Sequence, residues 1–124
     1  MPLYLARMEH PDGDRWSQYV VEHVLYLKEL IAQGRLLASG PLKGTALRAG
    51  FLILKADSLQ EAQALIEADP FTREDLICGL SIEQWDPLFG MLAEYSSKQP
   101  PAELASLFEE HGSSTHARES GHAV

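Results

Sequence analysis

Phe51-Leu52-Ile53-Leu54-Lys55-Ala56 runs directly into Asp57-Ser58-Leu59-Gln60-Glu61, and this stretch decides the fold. In an extended chain, successive side chains leave on opposite faces. Phe51, Ile53 and Lys55 therefore face one way, and Leu52, Leu54 and Ala56 the other. A sheet covered on one side only alternates apolar with polar residues. Here the apolar run is nearly continuous, so both faces of the strand are expected to be at least partly covered. Ser58, followed three residues later by Glu61, is a capping box that opens a helix. Ala62, Leu65, Ile66 and Ala68 give that helix a light apolar face, and it is expected to end near Asp69-Pro70.

Upstream, Glu22-His23-Val24-Leu25-Tyr26-Leu27 lies in the middle of a longer helix, expected over residues 15–33. Asp14 stands where a cap belongs, and Gly34 takes the usual left-handed position past the C-terminus. At about 100° per residue, Trp16, Val20, His23, Leu27 and Leu30 form one stripe. Tyr19, Val24 and Ile31 widen it, while Gln18, Glu22 and Glu29 fall on the opposite side. His23 thus points where the helix packs, and a titratable ring in an apolar stripe needs a partner. Asp69, just ahead of Pro70-Phe71, is the candidate carboxylate.

The remaining elements follow from apolar runs and breakers. Residues 2–8 read as a first strand with apolar groups on both faces, and His10-Pro11-Asp12-Gly13-Asp14 as a loop. Residues 35–39 read as a second strand stopped by Gly40-Pro41. Residues 71–75 form a turn or a short helical piece. Residues 76–85 read as a fourth strand ended by Asp86-Pro87. The order strand, helix, strand, strand, helix, strand is the ferredoxin-like βαββαβ pattern of an α+β protein. Such a chain forms a four-stranded antiparallel sheet with two helices on one face. Two helices cover only one face. The apolar second face predicts a homodimer through the sheet faces, with larger assemblies built from dimers left open. The alternative cover is the C-terminal stretch folding back. The domain is expected over residues 1–97. Beyond it lies a C-terminal extension, residues 98–124, partly helical and then disordered. Short helices are expected at 88–95 and 102–110, separated by the breaker Ser96-Ser97-Lys98-Gln99-Pro100-Pro101.

Composition narrows the function classes. The chain has 124 residues, 45% hydrophobic and 23% charged, which suits one domain with a modest core. Its formal net charge of −8 argues against nucleic acid, which wants a basic patch, and against an anionic membrane surface. No apolar run approaches the roughly 20 residues that span a bilayer, and no basic-then-apolar leader follows Met1, so a cytoplasmic location is expected. The single cysteine, Cys78, excludes an internal disulfide and reads as a small buried filler. His111, His116 and His122 are too irregularly spaced for a metal site. No phosphate-binding glycine loop or recognised metal motif is present, so no cofactor is expected.

Several short pieces together resemble the YciI-like proteins. They are Glu22-His23-Val24-Leu25-Tyr26-Leu27-Lys28-Glu29-Leu30, Gly34-Arg35-Leu36-Leu37-Ala38-Ser39-Gly40-Pro41-Leu42, Gly50-Phe51-Leu52-Ile53-Leu54, Ser58-Leu59-Gln60-Glu61-Ala62 and Asp69-Pro70-Phe71. Their order and spacing match over about residues 2–87. The resemblance implies the dimeric α+β barrel form of the ferredoxin-like fold. It also implies an active-site pair of a histidine and an aspartate, here His23 and Asp69. One relative in that family eliminates chloride from a chlorinated hydroxyquinol, and related folds include muconolactone isomerases. The residues after about Leu88 depart from the family's usual length.

Each candidate has a functional and a plain reading. His23 is either a core histidine with satisfied nitrogens or a general acid/base, since its ordinary pKa lies near neutrality. Asp69 is either a turn former or the group that orients His23, as a carboxylate does in a catalytic triad. Ser39, beside Gly40 and Pro41, either shapes a turn or offers a hydroxyl to a substrate oxygen. Arg7, among apolar neighbours, binds an anionic substrate or pairs with an acid. Trp16, Tyr19, Tyr26 and Phe71 line an aromatic pocket or fill the core. Two functions compete. One is a small cofactor-free lyase or isomerase that moves a proton on an oxygenated or aromatic-derived substrate with His23 and Asp69. The other is a non-catalytic module that binds a small ligand, or serves assembly, through the same cleft. A cofactor-free oxygenase follows only from fold analogy.

Overall fold

The computed structural model describes residues 1–108. It contains β1 (Leu3–Glu9), α1 (Arg15–Ala32), β2 (Leu36–Pro41), β3 (Ala49–Lys55), α2 (Leu59–Glu67), α3 (Pro70–Arg73) and β4 (Gly79–Trp85). The strands form one sheet in the order β2-β3-β1-β4, antiparallel throughout. This is the ferredoxin-like arrangement, and its two central strands are the two most apolar ones.

Strand parity puts the core on one face. Tyr4, Ala6 and Met8 of β1, with Leu52 and Leu54 of β3, are buried together with Leu36, Leu30, Ala62, Ile66 and Phe71. Cross-strand partners confirm the alternation: Tyr4 sits opposite Leu54 and Ala6 opposite Leu52, while Leu5 faces Ile53 and Arg7 faces Phe51 on the other side. The second strand does not stop at Gly40-Pro41. It continues through both, because a register shift between Leu36 and Ala38 realigns the chain and keeps Gly40 and Pro41 paired with β3.

The helix ends follow local chemistry. The Ser58 hydroxyl accepts from the Glu61 N–H at 3.1 Å, and the Glu61 carboxylate reaches back to the Asp57 N–H at 2.6 Å. At the end of α1, Gly34 has φ +75°. There the Arg35 N–H donates to the Leu30 carbonyl and the Gly34 N–H to the Ile31 carbonyl, a Schellman closure. Asp14 occupies the N-cap position of α1, but its side chain makes no capping hydrogen bond.

Three side-chain expectations are corrected. Val24 and Ile31 do not widen the buried stripe; they are 41% and 57% exposed. The helix is rolled the other way, with Tyr19 and Tyr26 turned inward and the Tyr26 hydroxyl donating to the Leu65 carbonyl at 2.5 Å. Cys78 is exposed rather than buried, because the fourth strand starts at Gly79 and not at Leu76 as expected, which leaves Cys78 ahead of it at the edge of the sheet.

Residues 3–85 make one compact unit, and residues from Asp86 onward group separately. In the second unit the Asp86 carboxylate accepts from the Ser97 hydroxyl and N–H, which hold it below the usual carboxylate range. The helix expected over 88–95 reduces to a single 3-10 turn, Ala93–Tyr95, since Gly90 adopts φ +99° and interrupts it. A second 3-10 turn, Ala102–Leu104, leads into helical residues 105–108. The rest of the expected second short helix, and the tail expected to be disordered, lie outside the described residues.

Leu54 and Leu25 test this packing as a pair. Leu54 is fully buried and Leu25 is 58% exposed on α1. In urea unfolding, Leu54→Ala is expected to lose about 2–5 kcal/mol, and Leu25→Ala to stay within about 0.5 kcal/mol of the wild type.

Candidate active site

The site is assembled where α2 gives way to α3. Asp69 has extended backbone, and Pro70 follows at the first helical position, where its missing N–H costs nothing. Asp69 caps this short helix: its Oδ1 accepts from the Phe71 N–H at 2.8 Å. The Asp69 side chain is completely buried, so its remaining acceptor capacity must also be met inside the protein.

His23 meets it. Its Nδ1 lies 2.8 Å from Oδ2 and 3.0 Å from Oδ1 of Asp69, and its side chain is 12% exposed. A carboxylate can only accept, so Nδ1 carries the proton, and in the neutral ring the lone pair lies on Nε2. The Phe71 ring stacks on His23 with centroids 4.3 Å apart and planes 21° apart. A carboxylate on one edge and a ring on one face together fix the imidazole. The Arg73 guanidinium bonds Glu22 and Glu74, and Arg15 bonds Glu74, so exposed ion pairs tie α1 to α3 around the site.

A second imidazole, His10, joins the cluster. It is 4% exposed, and its Nδ1 is 2.7 Å from the Leu76 carbonyl. Its ring lies 4.8 Å from Phe71 and 6.3 Å from Trp16. Burial lowers its pKa more than the Leu76 hydrogen bond raises it, and the charges of His23 and Arg48 lower it further against the opposing effect of Asp69. His10 was missed as a site residue because Pro11, Asp12 and Gly13 read as a loop. The available signal was parity. Continuing Tyr4, Ala6 and Met8 by two residues puts His10 on the helix face, and the ladder does extend there, with the His10 N–H donating to the Arg48 carbonyl at 2.9 Å. The same parity from Leu54, Leu52 and Gly50 leads to Arg48, whose guanidinium lies 3.8 Å over the Trp16 ring.

The sequence candidates are placed unequally. His23, Asp69 and Phe71 come together. Phe71, 1% exposed, packs between the two imidazoles. Arg7 lies on the opposite sheet face, bound to Glu9 at 2.9 Å. Ser39, Gly40 and Pro41 lie exposed on the edge strand β2. Trp16 stacks on Phe71 at 6.0 Å, and Tyr26 is bonded to Leu65. Among the described residues no cluster of histidine, cysteine and acidic side chains is set to hold a metal ion. No helix among them is long and apolar enough to cross a membrane. A separate groove is lined by Ile66, Thr72, Ile77, Leu80 and Ile82 beside α2 and β4, and none of the clustered rings lines it.

Comparison with known proteins gives a family and a structural relative. The model of the YCII-related domain matches residues 3–86. Among solved structures, the chain is similar to 5-chloro-2-hydroxyhydroquinone dehydrochlorinase from Burkholderia phenoliruptrix AC1100 in complex with 2,5-dihydroxybenzoquinone. The two are 27% identical, the match covers 71% of this chain and 95% of that one, and the TM-score is 0.61. No curated protein sequence matches the chain.

His10 sets a pH dependence. Its folded pKa is depressed below the ordinary 6.5, so on acidification the unfolded chain takes up a proton before the folded one does. Stability is therefore fully present above about 6.5 and falls as the pH drops below it. Thermal melts from pH 7.5 to 5 are expected to show a shallower loss of Tm for His10→Asn than for the wild type. Equal slopes would contradict a buried neutral His10.

Proposed function

The chain belongs to the YCII-related family, and from that premise we propose that it is a small lyase or isomerase that moves a proton on an oxygenated ring substrate. The observation that carries this reading is the His23 Nδ1 contact with both oxygens of a buried Asp69, at 2.8 and 3.0 Å. Asp69 holds the tautomer that leaves Nε2 as the base, and its negative charge stabilises the imidazolium formed when Nε2 takes a proton. The electron pair of the broken C–H or O–H bond moves into the ring's conjugated system. In an elimination it expels a leaving group, which departs with its own bonding pair. In an isomerisation the imidazolium returns the proton to another carbon. The similarity to a dehydrochlorinase of a hydroxyhydroquinone supports the substrate class. The Phe71 stack supports the role by holding the imidazole flat in one orientation.

Chlorinated hydroxyquinols and hydroxylated benzoquinones are the compounds to assay. His23→Ala is expected to lower kcat by about 10²–10⁴-fold, the range of one acid/base group. Asp69→Asn is expected to lower kcat with ligand affinity nearly kept, since asparagine also caps α3 but no longer fixes the tautomer. A His23→Ala enzyme with an undiminished rate would sink the reading. A ligand bound tightly and never converted would instead mark a binding module.

A further inference from the structure

Among the described residues, one buried hydrogen-bond donor beside the histidines has no acceptor, and an exposed guanidinium next to it makes no ion pair. The Trp16 Nε1–H is buried without a partner among the described residues. The exposed Arg48 guanidinium lies over the same indole, its central carbon 3.8 Å from the ring centroid. The arginine ion pairs of the described residues use Arg7, Arg15, Arg35 and Arg73, and none uses Arg48. A buried donor is normally satisfied, and one that is not calls for an explanation. The indole also belongs to the cluster, with its ring stacked on Phe71 at 6.0 Å. Arg48 itself is close enough for its charge to act on His10.

We propose that Trp16 Nε1–H and Arg48 form a subsite for an anionic oxygen of the substrate, an ionised enol or phenol on a planar ring. The inference rests on the proton-transfer reading above and narrows it to substrates that are already anionic or become enolates. The cation–π contact holds the guanidinium beside the indole, and with no ion pair its N–H groups are left for the oxygen. An N–H donor and a cation preset at that point favour the negative charge that develops when His23 removes a proton.

The test reads binding without turnover. 2,5-Dihydroxybenzoquinone, a vinylogous acid ionised at neutral pH, is the anionic probe, and hydroquinone is its neutral counterpart. With ¹⁵N-labelled full-length protein, addition of the anionic probe is expected to move one indole N–H resonance downfield, the one absent from Trp16→Phe. Arg48→Gln is expected to weaken the anionic probe about tenfold or more, the scale of one charge-assisted hydrogen bond, and to leave hydroquinone unchanged. Trp16→Phe keeps a stacking ring and loses only the N–H, so a loss of about threefold or more is expected. Probe binding involves no proton transfer, so a failed dyad shows in the kcat of His23→Ala and a failed subsite in the probe affinity of Arg48→Gln and Trp16→Phe, and the two give different results. The subsite is overturned if wild-type protein does not bind the anionic probe at millimolar concentration. It is equally overturned if hydroquinone binds as tightly, or if Arg48→Gln and Trp16→Phe bind the anionic probe like the wild type.

Discussion

A carboxylate with no access to water organises this protein. Asp69 is fully buried, and its oxygens are met by the backbone N–H of Phe71 and the imidazole of His23. The first bond starts α3 and the second fixes α1 against it, so one side chain sets both a helix end and a helix packing. The exposed ion pairs that run parallel, Arg73 with Glu22 and Arg15 with Glu74, are screened by water and add little. Leaving the buried acceptor without its histidine costs about 1–3 kcal/mol or more. The proposed chemistry thus sits on an interaction that the fold itself needs, which keeps the geometry of His23 stiff.

The two imidazoles illustrate how environment separates identical groups. His23 faces a carboxylate, whereas His10 faces a carbonyl and lies deeper. Both are held by Nδ1, so both present Nε2 in the neutral form, but His23 has a carboxylate behind it and His10 a carbonyl. Tyr26 shows the same logic in a structural role. Burial, then the charge of Asp69, raises its pKa, so its hydroxyl stays protonated and keeps donating to Leu65.

Much of the fold was legible because its signals are local. The parity of residues 51–56, the Ser58–Glu61 capping box and Gly34 each act through neighbours in sequence, and each is where the reading put it. The meeting of His23 with Asp69, 46 positions apart, was reached through the side-by-side helices of the fold type and the family resemblance. The roll of α1 that exposes Val24 and Ile31 was not legible, since an apolar stripe about 100° wide fixes a face but not which margin tilts inward. His10 and Arg48 were missed for a related reason. A strand ladder continues past the last regular residue when cross-strand bonds reward it, and the loop chemistry of Pro11 and Gly13 masked that continuation.

The central claim is that Asp69 holds His23 with the proton on Nδ1 and the lone pair on Nε2. Long-range ¹H–¹⁵N correlation of the histidine rings in the labelled protein at pH 7.5 reads this directly, with His23→Ala giving the assignment. The account predicts a protonated Nδ1 and an unprotonated, pyridine-like Nε2 for His23, and loss of that tautomer preference in Asp69→Asn. A His23 ring protonated on Nε2 alone would contradict it.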